Sequence, residues 1–188
     1  KKAARTLARA SSSEKNEALK LMSQALVNHT ETILTANALD LTAAKENGIT
    51  ENMMDRLILT QERIESMANG IIEIADLPDP IGRVDGMWKN EAGLTIGKQR
   101  VPLGVIGIIY ESRPNVTTDA GTLCFKAGNA VILRGGKEAI NSNKALVRIL
   151  QDALESTVFP SSVIQLVEYT TRESSKEMMR LNRYLDVL

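Results

Sequence analysis

Residues 101–137 constrain this chain more than any other stretch. They read VPLGVIGIIY, then ESRPNVTTDAGTLCFKAGN, then AVILRGGK. The run Val105-Ile106-Gly107-Ile108-Ile109-Tyr110 is apolar without alternation. That predicts a strand buried on both faces, hence a parallel sheet. A polar turn, Glu111-Ser112-Arg113-Pro114-Asn115, leads into a short helix with candidate caps at Asn115 to Thr118 and a stop at Gly128. Ala130-Val131-Ile132-Leu133 predicts a second buried strand, which ends on the cationic turn Arg134-Gly135-Gly136-Lys137. Strand, helix, strand makes one right-handed βαβ unit, with both strands opening into loops on the same edge. Ligands of open α/β sheets sit outside the carboxyl ends of the strands, so a site is expected at this edge.

The flanks extend the pattern. Ser11-Ser12-Ser13-Glu14 can cap a long amphipathic helix carrying Ala18, Leu21, Met22, Ala25, Leu26 and His29. It runs on through Ile33 and Leu34, with a break expected near Asn37 or Asp40. Gly48 ends the next helical turn, and residues 51–59 form a short helix. From Thr60, the residues Ile64, Met67, Ala68, Ile71, Ile72 and Ala75 make the cleanest helical stripe, stopped by Pro78 and Pro80. Two alternating segments around Asn90-Glu91-Ala92-Gly93 predict an exposed β-hairpin, either a subunit contact or a plain surface ribbon. After Lys137 come a helix capped by Asn141 or Ser142, a strand at 163–167, a helix from Thr171 to Arg180, and a fourth strand beginning at Tyr184. The division that follows is helices in 1–80, the hairpin in 81–100, and a βαβ part in 101–188. With nothing after its fourth strand, the pattern reads as a chain truncated before a further domain.

Composition removes several classes of function. There are 23 Lys plus Arg against 23 Asp plus Glu, so no net field favours nucleic acid or an anionic membrane. Aromatics are 3%, too few for base-stacking platforms. No apolar run is long enough to span a bilayer. The opening KKAARTLARASSS has no apolar core of a signal peptide and reads as an exposed helix. One cysteine forms no internal disulfide and fits a reducing cytoplasm. One histidine and one cysteine cannot build a metal cluster. The sequons at Asn28 and Asn115 read as chance matches.

Few residues carry candidate chemistry. The glycines of Arg134-Gly135-Gly136-Lys137 would let backbone amides approach a ligand, and the two cations suit a phosphate. A solvated turn entering a helix is the alternative. Asn115 could donate its amide to a developing oxyanion, or simply cap the helix behind it. Cys124 shares a helix face with Ala120, Leu123 and Ala127 between the two buried strands. It reads as a small buried hydrophobe, not a nucleophile. His29, on a long helix, reads as structural.

The segments Leu77-Pro78-Asp79-Pro80-Ile81-Gly82, Arg100-Val101-Pro102-Leu103-Gly104-Val105-Ile106-Gly107, Tyr110-Glu111-Ser112-Arg113-Pro114-Asn115-Val116-Thr117 and Gly128 to Glu138 resemble the gamma-glutamyl phosphate reductase family. That family is a branch of the aldehyde dehydrogenase superfamily. The resemblance covers essentially the whole chain. It implies the α/β aldehyde dehydrogenase fold, with a Rossmann-like parallel sheet, N-terminal helices and a β-hairpin of the oligomerisation type. It also implies NADPH-dependent reduction of L-glutamyl 5-phosphate to L-glutamate 5-semialdehyde with release of phosphate, a step of proline biosynthesis. In this family a cysteine thiolate forms a thioacyl intermediate that accepts hydride from the nicotinamide. By the same resemblance, Asn115 is the oxyanion donor, Ser112 lines the nicotinamide side, and Arg134, Gly135, Gly136 and Lys137 face the cofactor. Lys137 falls where NAD-preferring members often carry a glutamate, which favours NADPH. A homo-oligomer and glutamate 5-kinase are the implied protein partners, in the cytoplasm. The family's nucleophile belongs to a downstream catalytic domain, and Cys124 does not replace it, so these residues alone are expected to be inactive. The other readings are a different superfamily dehydrogenase and a non-catalytic nucleotide-binding or oligomerisation module.

Overall fold

Parallel pairing of three strands sets the frame. The computed structural model describes residues 1–188. Strand β3 (Val105–Ile109) pairs in parallel with β4 (Ala130–Arg134), and β4 with β5 (Ile164–Leu166). Helix α6 (Pro114–Lys126) crosses from β3 to β4, and α7 (Ile140–Ala153) from β4 to β5. Five helices precede the sheet: α1 (Lys2–Leu7), α2 (Ser12–Asn28), α3 (Thr30–Glu46), α4 (Glu51–Leu57) and α5 (Gln61–Asp76). A two-stranded antiparallel ribbon, β1 (Val84–Lys89) and β2 (Thr95–Gln99), lies between them and the sheet, and α8 (Arg172–Met179) follows it.

The sheet has helices on both faces, unequally. Val131, Leu133 and Ile164 point into the main core with Leu19, Met22, Ile64, Ile71, Phe125 and Leu146. Val105 and Ala130 face a smaller cluster with Ala4, Met178 and Leu185. Full burial of each such Leu, Ile or Met is worth about 1.5–3 kcal/mol. Burial of β3 on both faces is therefore incomplete: Ile106 and Ile108 are half-buried, and Ile109 is 36% exposed. The second layer is thin, and it ends short of Ile109.

The N-terminal helices follow their caps closely. The Ser11 hydroxyl accepts the Glu14 N–H while Glu14 accepts the Ser11 N–H, a complete capping box on α2. The Thr60 hydroxyl caps α5, and the helix stops at Leu77, ahead of Pro78. The stripe on α5 is buried as its spacing predicts, except that Ile74 replaces Ile72 in the deeper position. The first helix is not fully exposed: Ala3, Ala4 and Leu7 are buried.

The long helix breaks at His29, not at Asn37 or Asp40. His29 joins α2 to α3 with its Nδ1 2.9 Å from the Ala25 carbonyl oxygen. Asn37 and Asp40 sit inside α3, buried, and their polar groups are used across the core. Asn37 donates to the Leu57 carbonyl and accepts the Leu59 N–H, both at 2.9 Å. Asp40 accepts the N–H groups of Asn141 and Ser142 at the start of α7. Asn141 and Ser142 are therefore not caps, because α7 is capped by a carboxylate from another helix.

Helix α6 ends as expected. Gly128 adopts φ +74°, and Asn129 N–H reaches the Cys124 carbonyl at 2.9 Å, closing a Schellman turn. The predicted fourth strand is reduced to one bridge, Ile106 to Val187, beside β3. Beside it the Asp186 carboxylate takes the Val105 N–H at 2.8 Å. The ribbon carries mostly exposed residues, including Val84, Met87 and Trp88.

Candidate active site

The loops after β3 and β4 touch at the carboxyl edge of the sheet. A Cβ on Gly136 would run into the Ser112 hydroxyl and come within 3.0 Å of the Glu138 carboxylate. Glycine is thus required here by one loop lying on the other. The Ser112 hydroxyl donates to the Glu138 carboxylate across this contact. Above Gly135 the space is filled by protein: an added Cβ would strike the Asn143 amide and lie 3.1 Å from the Tyr110 ring. Tyr110 and Thr117 share a hydrogen bond of 2.7 Å, and Thr117 donates to Asn143 at 2.8 Å. Burial pushes the Tyr110 phenol up to about 12, against the opposing effect of the Thr117 bond. The Tyr110 phenol is therefore uncharged at ordinary pH and is held behind the loops by Thr117 and Asn143.

Arg134 is committed to the scaffold. Its guanidinium donates to the carbonyls of Thr170 at 2.6 Å, Thr171 at 3.0 Å and Gly135 at 3.2 Å. It ties the end of β4 to the loop after β5, leaving its Nε buried without a partner. Lys137 is different. It sits on a single 3-10 turn before α7, is exposed, and joins none of the ion pairs of the fold. It opens onto a cleft of about 340 Å³ shared with Asp40, Asn47 and Asn141.

Asn115 is not the cap of α6. The cap position is Arg113, without a side-chain bond, and Pro114 takes the first helical position. Proline suits that place because its φ is preset and its missing N–H would be unpaired anyway, so the helix starts earlier than the polar run implies. Asn115 is left exposed in the first turn and donates its amide to Asp119 Oδ2 at 3.2 Å.

Two clefts meet at this point. One, of about 390 Å³, is lined by Ser112, Arg113, Arg134, Gly136 and Glu138. The other, of about 410 Å³, is lined by Asn115, Asp119, Arg113 and Arg63. Arg56 and Arg113 line both. The structure thus brings Ser112, Arg134 and Gly136 together, sets Asn115 in the adjoining cleft, and turns Lys137 to the far side of the Glu138 turn. Arg56, Arg113, Asp119 and Glu138 were not anticipated. Asp119 had a signal, since it lies four residues after Asn115 on the same helix face. Arg56 had none, because only the tertiary fold carries α4 to the sheet edge.

Cys124 lies in the main core, 9% exposed, and burial pushes its thiol up to about 11. Its expected neighbour Leu123 is instead 48% exposed.

A parallel α/β sheet with a two-lobed cleft at its carboxyl edge is the architecture in which open α/β folds place their ligands. The aldehyde dehydrogenase family profile matches residues 1–185, and the chain belongs to that family. Gamma-glutamyl phosphate reductase of Listeria monocytogenes is 59% identical over 188 residues, 100% of this chain and 45% of that protein. The protein of the same name from Enterococcus faecalis is 61% identical, again over 100% of this chain and 45% of its own length. The crystal structure of gamma-glutamyl phosphate reductase from Thermotoga maritima superposes with a TM-score of 0.95 at 43% identity, covering 98% of this chain and 44% of that one. An aldehyde dehydrogenase structure from Listeria monocytogenes shares the fold, with a TM-score of 0.67 at 19% identity. The chain spans about half the length of the curated relatives it matches. No helix is long and apolar enough to cross a membrane.

Proposed function

We propose that the polypeptide carrying this chain reduces L-glutamyl 5-phosphate to L-glutamate 5-semialdehyde with NADPH and releases phosphate, the second step of proline biosynthesis. What carries the reading is Asn115: exposed at the first turn of α6, free of any capping duty, and adjoining the Ser112–Gly136 loop contact. An amide so placed can donate to the oxygen that gains charge when an acyl carbon is attacked.

One observation supports a phosphorylated dinucleotide at the neighbouring edge: Lys137 presents an ammonium without an acidic partner. The residues present fit the group: Ser112 and Gly136 line the cleft that would hold it, Lys137 would meet a 2′-phosphate beyond the Glu138 turn, and Arg134 holds the turn in place, while Gly135 is covered by Asn143 and Tyr110 and does not reach it. When bound, the nicotinamide supplies hydride. The exposed β1–β2 ribbon is the surface for a homo-oligomer, and glutamate 5-kinase and a cytoplasmic location belong to the same proposal.

The test is the reverse reaction of the intact polypeptide with glutamate 5-semialdehyde, NADP⁺ and phosphate. Phosphate-dependent formation of NADPH is expected, and its absence would refute the reading.

A further inference from the structure

The cleft beneath Asn115 holds more charge than an oxyanion donor needs. Asp119 lines it with a half-buried carboxylate whose only bond is the one accepted from Asn115. Burial raises its pKa and the Asn115 bond only partly offsets this, the behaviour of a carboxylate short of a cationic neighbour. Three arginines share the cleft. Arg63 is used up: it donates to the carbonyls of Asp55 and Ile58 and to the Asp55 carboxylate at 2.6, 2.8 and 2.8 Å. Arg56 has one loose partner, Glu111 at 3.5 Å. Arg113 has none.

We infer that this cleft reads the amino-acid end of the substrate, with Asp119 taking the α-ammonium and Arg113, backed by Arg56, taking the α-carboxylate. The inference rests on the reaction proposed above, and it names the residues that select a glutamyl chain from other acyl chains. A zwitterion needs one anion and one free cation in the same cleft, and Asp119 and Arg113 supply them. The α-carbon of a glutamyl group lies three bonds from its reacting carbon. Asp119 lies one helical turn from the Asn115 amide, so both ends are reached from one face of α6. Asp119 is a specificity residue in this scheme, while Asn115 remains the group at the reacting oxygen.

The test compares two aldehydes in the phosphate-dependent reverse assay of the intact polypeptide: glutamate 5-semialdehyde and 5-oxopentanoate, which lacks the amino group. Asp119→Asn keeps an acceptor oxygen for Asn115 and removes only the charge. It is expected to raise KM for glutamate semialdehyde roughly tenfold or more, with kcat nearly unchanged. KM for 5-oxopentanoate should stay within about twofold. Arg113→Gln should raise KM for both aldehydes, since both carry the carboxylate. Equal changes for the two aldehydes in Asp119→Asn, or a loss confined to kcat, would overturn the assignment while leaving the proposed reaction standing. A parent protein inactive on glutamate semialdehyde would sink both.

Discussion

The Asp40 carboxylate accepts both the main-chain N–H and the hydroxyl of Ser142, at 2.7 and 2.6 Å. Its other oxygen takes the Asn141 N–H at 3.1 Å and the Asn141 side-chain amide at 2.8 Å. A residue 102 positions away thus caps the helix that follows the Arg134–Lys137 turn. Asp40→Ala should remove the cap and leave buried donors unpaired. A loss of about 2–4 kcal/mol in urea denaturation is expected. A change below about half a kcal/mol would show that water substitutes for the carboxylate.

Lys15 and Asp79 form a buried ion pair of 2.6 Å, with Lys15 1% exposed. Burial raises the Asp79 pKa, but bonds from Lys15, Ser12 and the Ile81 N–H outweigh it and hold the carboxyl below its ordinary value. The native state therefore binds this proton less tightly than the unfolded chain. The pair's contribution is complete above the ordinary carboxylate range and disappears as pH falls through the lowered native value. Asp79→Asn should cost about 3–5 kcal/mol at neutral pH, because it strands a buried ammonium. It should also flatten the acid limb of the stability curve. An unchanged acid limb in melts from pH 2 to 7 would contradict this (the range is roughly that spanned by carboxyl titration).

Lys137 stands exposed and unpaired. Lys137→Glu should weaken NADPH binding by roughly tenfold or more while altering NADH far less, because a like charge then faces the 2′-phosphate. Titration of the intact polypeptide with each cofactor decides it, and equal losses would count against a 2′-phosphate at this position.

Cys124 should be slow to react. With its thiol at about 11 in the core, labelling by a disulfide reagent near pH 8 should require opening of the fold and accelerate sharply in urea. Cys124→Ser should retain most activity. Near-total loss would place this thiol in the chemistry.

The sequence made the sheet legible because its cues are local. Val105–Ile109 and Ala130–Arg134 are short apolar runs bounded by glycine and polar turns, and they pair in parallel as expected. Where cues were tertiary, the reading went astray. Asn37 and Asp40 look like helix breakers, but their partners on other elements hold them within α3. Asn115 looks like a cap until Pro114 is seen at the first helical position. At the candidate site, the contact between the two loops was legible to the same extent. Ser112 and Gly136 meet across the two loops. The carbonyl acceptors of Arg134, at Thr170 and Thr171, and the approach of Arg56 depend on how distant segments pack.

Trp88 is the chain's one tryptophan, and it sits 51% exposed on the β1–β2 ribbon, away from the main core. Indole emission from this chain therefore reports on the ribbon and not on the sheet. A blue shift on raising the protein concentration would mark the ribbon being covered, while melting of the core would have to be followed by far-ultraviolet dichroism.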